Sequence, residues 1–503
     1  MTARPRAAQT SANVVRNVLY GSLTWVLPVF LSLLATPLLI ESLSIETYGV
    51  YVLILGLISY SFSFGLGRAA VKYIAEYLIS GKTGEIRNIF SATMILSVAV
   101  GMIGLLLIFV LANWLVKDLL RIEESLQESA TTGIRIAGAV IFISGIAQAF
   151  WSVLQGAQRF DIYSKLFNAN SVLLLSGNLL LAYFGFGLAT LLWWNLASLT
   201  LMTVISGSAA MRTVPGIGFG LTDGVSALPR IMGFTTGIVG YQLLGNALLL
   251  IERGWITRTF GSSELSYYVV AMSLGLYILG FSNSLALVIA PLTSETQADK
   301  ERLRSVYLRS TKFIVMIVGF LVMALITGRH VFLSLWIGPD FADRASDLMA
   351  VHLISFGLFS IVVVSWQMRE GLGFPSHNLW ITAVYFALTL GLMYLFTIYW
   401  ETLGVAMARL VGCMFMAAFI FQFERWLFGK VAIRYWAGLL LAVAGATAAA
   451  GAANIYLLSL FPRNWLTMLF AVAISGGIYG TALVLFRAID DEERRFALAI
   501  FKR

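Results

Sequence analysis

Charged residues are scarce in this chain. Asp, Glu, Lys and Arg make up 12% of the 503 residues, whereas hydrophobic residues make up 59%. Soluble domains carry about 25% charged residues, so this chain has too few of them to cover a water-facing surface. The composition excludes a soluble enzyme, a nucleic-acid-binding module and a secreted scaffold, and it indicates an integral membrane protein. The net charge of +9 then reflects basic loops on one side of a membrane.

Cysteine and histidine are also rare. The single cysteine, Cys413, lies in an apolar run, and one cysteine forms no internal disulfide. The histidines His330, His352 and His377 are scattered, without the spacing of metal ligands. We therefore expect no cofactor and no metal site. Whether a proton or a sodium ion is coupled to the activity stays open.

Long apolar runs are what the sequence has instead. A helix needs about 20 mostly apolar residues to cross the hydrocarbon of a bilayer, and fourteen segments meet or approach this length. Continuous apolar runs favour helices over the alternating strands of a barrel. The predicted fold class is all-α and polytopic, with about 14 transmembrane helices. The predicted spans are 19–40, 47–65, 90–116, 133–153, 166–184, 187–205, 231–256, 265–292, 313–327 (or on to Trp336), 348–366, 379–399, 403–420, 435–458 and 466–486.

The basic residues alternate between the two sides of the predicted spans. About 25 of the 34 Lys and Arg residues fall in the two tails and in every second loop. This bias places both termini in the cytoplasm. No predicted loop exceeds roughly 25 residues, too little for the catalytic domain of a membrane glycosyltransferase. A D-x-D pair, a Gly-rich phosphate loop and a Ser/His/Asp constellation are also missing, so we expect no enzyme.

An internal repeat divides the chain. A shift of about 217 residues aligns landmarks in corresponding spans, which indicates two parallel lobes. We expect an N-terminal lobe of helices 1–6 at 1–208, a cytoplasmic linker at 209–230 and a C-terminal lobe of helices 7–12 at 231–425. Helices 13–14 and a cytoplasmic tail follow at 426–503. The aligned landmarks are Glu46 with Glu264, Arg87 with Arg304, Gly101 with Gly319, and Gly187 with Gly404.

Three segments carry a recognisable pattern of motifs. The first, residues 37–77, begins with Pro37 in the first span, continues with Tyr48-Gly-x-Tyr51 and ends the second span with Gly65-x-Gly67-Arg68. Together with residues 154–161 and 250–269, this pattern resembles polysaccharide flippases of the multidrug/oligosaccharidyl-lipid/polysaccharide (MOP) superfamily. The resemblance covers nearly the whole chain by topology and repeat.

The resemblance implies a function. Such a protein moves undecaprenyl-diphosphate-linked oligosaccharide from the inner to the outer leaflet of a bacterial inner membrane by alternating access, for lipopolysaccharide O-antigen or exopolysaccharide. The implied partners are this substrate, membrane lipids, a polysaccharide polymerase and a chain-length regulator, without nucleic acid. Three alternatives stay open: a drug/cation antiporter of the same superfamily, which needs embedded carboxylates, a membrane glycan polymerase or ligase, and a lipid scramblase.

Polar residues inside the predicted spans are the candidates for substrate binding. An embedded cation costs about 2.5–3.5 kcal/mol, so it calls for a function. Gln242, Asn246 and Arg253 share one face of the seventh helix. They either contact the substrate or form hydrogen bonds between helices. The adjacent Glu252 either pairs with an arginine or exchanges a proton during transport.

Three further arginines are candidates for the diphosphate. Arg409 and Arg135 lie inside the twelfth and fourth spans, where each either faces a cavity or extends to the membrane interface. Arg68 ends the second span on the cytoplasmic side. There it either captures the diphosphate or follows the general excess of basic residues on that side.

Aromatic residues and prolines complete the prediction. Trp193, Trp194 and Trp366 lie deep in their spans and either stack on sugars or pack against other helices. Pro28 and Pro37 bend the first helix, either as a gate or as a static kink. The small residues of 442–454 either pack the last two helices closely or form a groove for the lipid tail, as the resemblance to fourteen-span lipid II flippases suggests.

Overall fold

The computed structural model describes residues 7–61, 66–286, 289, 292–293, 297 and 299–489. Gly65 of the glycine motif and the C-terminal tail from residue 490 lie outside these residues. Within the described chain the regular structure is helical, and we number its α-helices in chain order. They are α1 (Ala7–Leu43), α2 (Ile45–Ser61), α3 (Leu66–Ile79), α4 (Thr83–Trp114), α5 (Gln127–Gly156), α6 (Phe160–Tyr183), α7 (Leu188–Thr213), α8 (Leu221–Phe260), α9 (Ser262–Ala286), α10 (Lys300–Trp336), α11 (Pro339–Gly371), α12 (Pro375–Phe428), α13 (Ile433–Leu460) and α14 (Trp465–Leu485).

The helices confirm the predicted all-α membrane fold. Eleven helices of the described chain are long and apolar enough to cross a membrane. One of them, α12, consists of two arms, and α2 and α8 supply the remaining two of the fourteen predicted spans. Apolar side chains are exposed on α4, where Ile103, Leu106 and Val110 are 59%, 57% and 76% exposed. Apolar side chains exposed in this way are stable only against hydrocarbon.

The helix α12 turns back on itself at Trp400 and Glu401, whose backbone angles are not helical. In a straight helix, residues 385 and 409 would lie about 36 Å apart. Instead, Nη1 of Arg409 donates a hydrogen bond to the hydroxyl of Tyr385 at 3.0 Å. The two arms, 375–399 and 402–428, are therefore antiparallel and count as the eleventh and twelfth spans.

Equivalent landmarks of the internal repeat occupy equivalent places. Glu46 and Glu264 both lie in the first turn of a helix, α2 and α9 respectively. Gly187 precedes α7, and Gly404 opens the second arm of α12. These positions match the parallel repeat expected from the sequence.

The chain divides into two compact units, Met1–Ser266 and Tyr267–Arg503. In the first unit, α4 packs on α5 and α8, α5 packs on α7, and α1 packs on α6. In the second unit, α10, α11 and α12 pack in sequence, and α13 and α14 pack on each other and on α10. The lobe boundaries expected from the sequence stay a prediction.

Most of the expected linker, 209–230, is helical. The helices α7 and α8 extend into it, so that only residues 214–220 lie outside helices. Ser91 of α4 holds these residues by donating to the carbonyl of Gly218 and accepting from the amide of Gly220, at 3.3 and 3.0 Å. Arg230 of α8 pairs with Glu85 at 2.6 Å. The segment is therefore fastened to the start of α4.

The last two helices are attached to the second unit by polar contacts. Asn454 of α13 donates to the hydroxyl of Thr327 at 2.7 Å, and the Tyr479 hydroxyl of α14 donates to the carbonyl of Met316 at 2.8 Å. Both partners belong to α10. Small residues of α13, including the fully buried Ala446 and Ala450, permit this close approach. Binding of a lipid tail beside these helices stays a prediction.

Candidate functional site

A cavity of about 640 Å³ lies within the first unit. Residues from α2 through α8 line it, so seven helices contribute to one concave surface. Its apolar lining includes Leu55, Ile58 and Leu174. The polar and aromatic lining residues are Ser59, Arg68, Ser97, Ser144, Gln148, Trp151, Gln155, Phe167, Asn170, Asn195, Ser198 and Gln242.

One face of α5 provides the main polar wall of this cavity. Ser144, Gln148, Trp151 and Gln155 all line it. These residues follow one another at intervals of four, three and four, which is the spacing of a single helical face. In hydrocarbon such a stripe is stable only where it faces polar neighbours or water.

Among the described residues that line the cavity, Arg68 is the only one with a charged side chain. It lies in the first turn of α3, and its Nη1 donates to the hydroxyl of Tyr241 on α8 at 3.2 Å. The side chain is exposed. Carboxylates do not occur among the lining residues of the described chain. The cavity therefore favours an anionic or uncharged ligand over a cation.

Two cavity residues carry buried acceptors without a donor. Oδ1 of Asn170 and Oε1 of Gln242 accept no hydrogen bond from the described residues. Buried polar groups in proteins are nearly always satisfied by protein, water or ligand. These two amides are thus placed to bind donors of a molecule that occupies the cavity.

A third amide, Asn195, is held in place by a buried network. Nδ2 of Asn178 donates both to Oδ1 of Asn195 and to the Tyr51 hydroxyl, each at 2.9 Å. Asn178 is fully buried, and Asn195 is 4% exposed. The network joins α2, α6 and α7, so the second tyrosine of the Tyr48-Gly-x-Tyr51 motif helps to build the cavity wall.

The polar residues predicted to share one face of the seventh helix lie in different surroundings along α8. Gln242 lines the cavity, whereas Arg253, about 16 Å further along α8, packs against α2. Nη1 of Arg253 donates to the carbonyl of Val52, and its guanidinium lies 5.1 Å from the ring of Tyr60. It is 5% exposed. Asn246 is half-buried between these positions, and it does not line the cavity.

The neighbouring Glu252 is completely buried on α8 and does not line the cavity. Its predicted part in ion pairing or proton exchange stays a prediction.

The other two predicted arginines also lie elsewhere. Arg135 is nine residues before Ser144 on α5, which is the opposite face of the helix, and it lies 5.1 Å from the ring of Phe109. Arg409 belongs to the second unit. It is 3% exposed, donates to Tyr385, and lies 5.3 Å from the ring of Phe356. Contact of either residue with substrate stays a prediction.

None of the three predicted tryptophans lines the cavity. Trp193 is 57% exposed. Trp194 donates to the carbonyl of Leu173 at 3.1 Å, and Trp366 donates to Glu370 at 3.1 Å. The tryptophan that does line the cavity is Trp151.

The helix α1 is continuous through Pro28 and Pro37. It packs on α6 and α2. A gating motion of this helix stays a prediction.

The neutral residues of α5, α6 and α7 were missed by the sequence reasoning, which began from embedded charges. A signal was present. The spacing of Ser144, Gln148, Trp151 and Gln155 meets the same criterion that singled out Gln242 and Arg253.

The family described as polysaccharide biosynthesis protein matches residues 42–346. The structure of lipid II flippase MurJ in an inward closed conformation is similar over 94% of this chain and 99% of that chain, with a TM-score of 0.74 and 12% identity. Comparison with curated protein sequences finds no match.

Two further solved structures share the fold. An inward-facing multidrug resistance MATE family transporter of the MOP superfamily is similar over 81% of this chain and 95% of that chain, with a TM-score of 0.64 and 19% identity. A MOP superfamily transporter from Pyrococcus furiosus is similar over 82% and 94%, with a TM-score of 0.62 and 18% identity. The resemblance stated from the sequence is thus confirmed for fold and family. Because the family match spans more than half of the chain, this protein belongs to the polysaccharide biosynthesis protein family.

Proposed function

We propose that this protein is a flippase for undecaprenyl-diphosphate-linked oligosaccharide. It moves this lipid from the inner to the outer leaflet of the bacterial inner membrane, for the synthesis of a surface polysaccharide such as O-antigen or exopolysaccharide. Both termini lie in the cytoplasm. The two lobes carry out transport by alternating access, in which the substrate site opens to one side of the membrane and then to the other. A polysaccharide polymerase and a chain-length regulator use the product.

The observation that carries this proposal is the chemistry of the cavity. A lipid-linked oligosaccharide has an anionic diphosphate and a hydroxyl-rich glycan, both of which must cross the hydrocarbon. The cavity lining supplies one arginine for the diphosphate, and serine, asparagine and glutamine side chains for hydroxyl groups. The polyprenyl tail stays in the lipid throughout. The family assignment and the lipid II flippase fold support the same function.

The same chemistry speaks against the antiporter alternative. A protein that exports cationic drugs needs carboxylates facing its cavity, whereas the lining residues in the described part of the chain include none. Embedded acids elsewhere have other partners. Glu424, for example, accepts hydrogen bonds from the amide of Ala432 and the indole of Trp436, at 2.7 and 2.6 Å.

A deletion strain tests the proposal. We expect complete lipid-linked repeat units to accumulate on the cytoplasmic leaflet, measured by mass spectrometry and leaflet-specific labelling, while surface polysaccharide disappears. Normal surface polysaccharide with altered sensitivity to cationic drugs would indicate an antiporter. Complete units on the outer leaflet would indicate a polymerase or ligase.

Complementation of this strain tests the cavity. Arg68→Ala should fail to restore surface polysaccharide, whereas Arg68→Lys, which keeps the charge, should restore part of it. Arg212→Ala is the control, because Arg212 is an exposed arginine of the same unit outside the cavity lining. Full complementation by Arg68→Ala at normal protein levels would remove Arg68 from the site.

A further inference from the structure

Trp151 is the aromatic residue best placed to meet a ligand in the cavity. Its indole is half-buried and forms part of the lining. Nε1 donates to the hydroxyl of Ser206 on α7 at 3.2 Å, which fixes the ring. Tyr163 and Phe167 of α6 contact the indole at steep angles of 72° and 65°. Neither ring covers it in a parallel stack, and the side chain is held rigidly at the cavity wall.

Amide side chains flank this indole along α5. Gln148 precedes Trp151 by three residues and Gln155 follows it by four, so one amide lies about one helical turn to each side on the same face of α5. The acceptors of Asn170 and Gln242, which have no donor in the described chain, belong to the same cavity. The surroundings of the indole therefore offer both hydrogen-bond donors and acceptors.

This combination fits one class of ligand. A pyranose ring has an apolar face of C–H groups and a rim of hydroxyl groups that donate and accept hydrogen bonds. The face suits an indole, and the rim suits amides. A flat aromatic drug suits the indole as well, but it leaves the surrounding amides without partners, which costs free energy in a buried site.

The position of Arg68 indicates which sugar of the lipid-linked chain lies beside Trp151, counted from the diphosphate. The backbone of Gly67, the preceding residue, packs against Gln148 so closely that a Cβ on Gly67 would lie 2.3 Å from Nε2 of that amide. Arg68 and Gln148 are therefore neighbours, and Trp151 is about 4.5 Å further along α5. A diphosphate bound at Arg68 thus places the first sugar beside Trp151.

We infer that Trp151, flanked by Gln148 and Gln155, forms a subsite for the uncharged sugar that is attached directly to the diphosphate. This subsite rests on the proposed function. The sugar is uncharged because the one cation in the lining serves the diphosphate and carboxylates do not line the cavity in the described chain. Trp151 thereby determines specificity for a glycan over the bare lipid diphosphate.

Binding measurements with two lipids test the subsite. The full-length protein in lipid nanodiscs is titrated with undecaprenyl diphosphate and with undecaprenyl diphosphoryl-N-acetylglucosamine. We expect the wild-type protein to bind the sugar-bearing lipid more tightly. Trp151→Leu should weaken binding of that lipid roughly tenfold and leave binding of the bare diphosphate unchanged.

Two variants separate stacking from structure. Trp151→Phe loses the hydrogen bond to Ser206 but keeps an aromatic ring. Because the ring face carries the contact with the sugar, this variant should retain most of the preference for the sugar-bearing lipid. Trp114→Leu, at an exposed tryptophan of the same unit outside the cavity lining, is the matched control and should bind both lipids as the wild type does. Thermal unfolding of each variant verifies that it is folded.

The possible failures are distinguishable. If the folded Trp151→Leu variant shows equally weakened binding of both lipids, or unchanged binding of both, the sugar subsite is wrong while the proposed flippase function stands. If the wild-type protein binds the bare diphosphate but shows no preference for the sugar, the subsite is also wrong. If the wild-type protein binds neither lipid, the proposed function fails and the subsite fails with it.

Discussion

Gly67 of α3 and Gln148 of α5 meet at the cavity wall, with no room for a side chain on the glycine. A Cβ at position 67 would lie 2.3 Å from Nε2 of Gln148 and 2.8 Å from the hydroxyl of Ser152. The close approach brings Arg68 beside the polar stripe of α5. The close packing explains why a glycine stands at position 67 of the Gly65-x-Gly67-Arg68 motif. The next residue, Arg68, supplies the positive charge of the described cavity lining.

Gly67→Ala should alter the cavity without unfolding the protein. The added methyl group meets the side chains of Gln148 and Ser152 and no backbone atom among its three nearest neighbours, so these side chains move aside rather than the backbone. We expect a thermal midpoint near that of the wild type and weaker binding of undecaprenyl diphosphoryl-N-acetylglucosamine. In a Gln148→Ala background the same substitution should have a smaller effect, because the clashing amide is gone. Equal effects in both backgrounds would contradict this coupling.

Arg253 and Arg68 should respond differently to truncation. Arg253 is buried between α8 and α2, and Arg253→Ala removes its contacts to Val52 and Tyr60, so the thermal midpoint should fall. Arg68→Ala should leave the midpoint nearly unchanged and weaken binding of undecaprenyl diphosphate. The comparison needs both measurements on both variants. A stable Arg253→Ala protein that no longer binds the lipid would support the substrate contact expected from the sequence.

Asn178 should stabilise the first unit through its two hydrogen bonds. Asn178→Ala removes the bonds to Tyr51 and Asn195 and should lower the free energy of unfolding by about 1 kcal/mol, the scale of such bonds in membrane proteins. A double-mutant cycle with Asn195→Ala measures the pair directly. Strictly additive effects would show that the contact does not contribute.

Gly404 should be required for the turn of α12. A Cβ at this position would lie 2.3 Å from the carbonyl oxygen of Phe396, and a backbone atom does not move aside cheaply. Gly404→Ala should lower stability by about 1–3 kcal/mol, the usual cost of overpacking. Gly391→Ala is the matched control on the same helix, since a Cβ there meets nothing within 4 Å. Similar stability of the two variants would contradict the tight turn.

The sequence by itself determined the membrane class, the fourteen spans and the parallel repeat. These features follow from local composition, because a bilayer requires about 20 apolar residues per helix whatever the neighbouring helices are. The landmarks Glu46 and Glu264 accordingly lie at helix starts, as the repeat predicts. The segment 209–230, expected as a linker, is mostly helical instead. Its hydropathy marks where the hydrocarbon ends, but a helix can continue beyond that point.

The tertiary structure alone decided which polar residues share a cavity. A helix sequence shows that Gln242 and Arg253 lie on one face, but the neighbour of that face depends on how each helix is rotated and packed. Arg253 therefore contacts α2, while Gln242 lines the same cavity as Arg68 and the polar stripe of α5. The sequence also directed attention to embedded charges, because the free energy needed to place a charge in the membrane makes such residues conspicuous candidates. Neutral side chains such as Gln148 and Asn170 are cheaper to embed, so only their convergence in space distinguishes them.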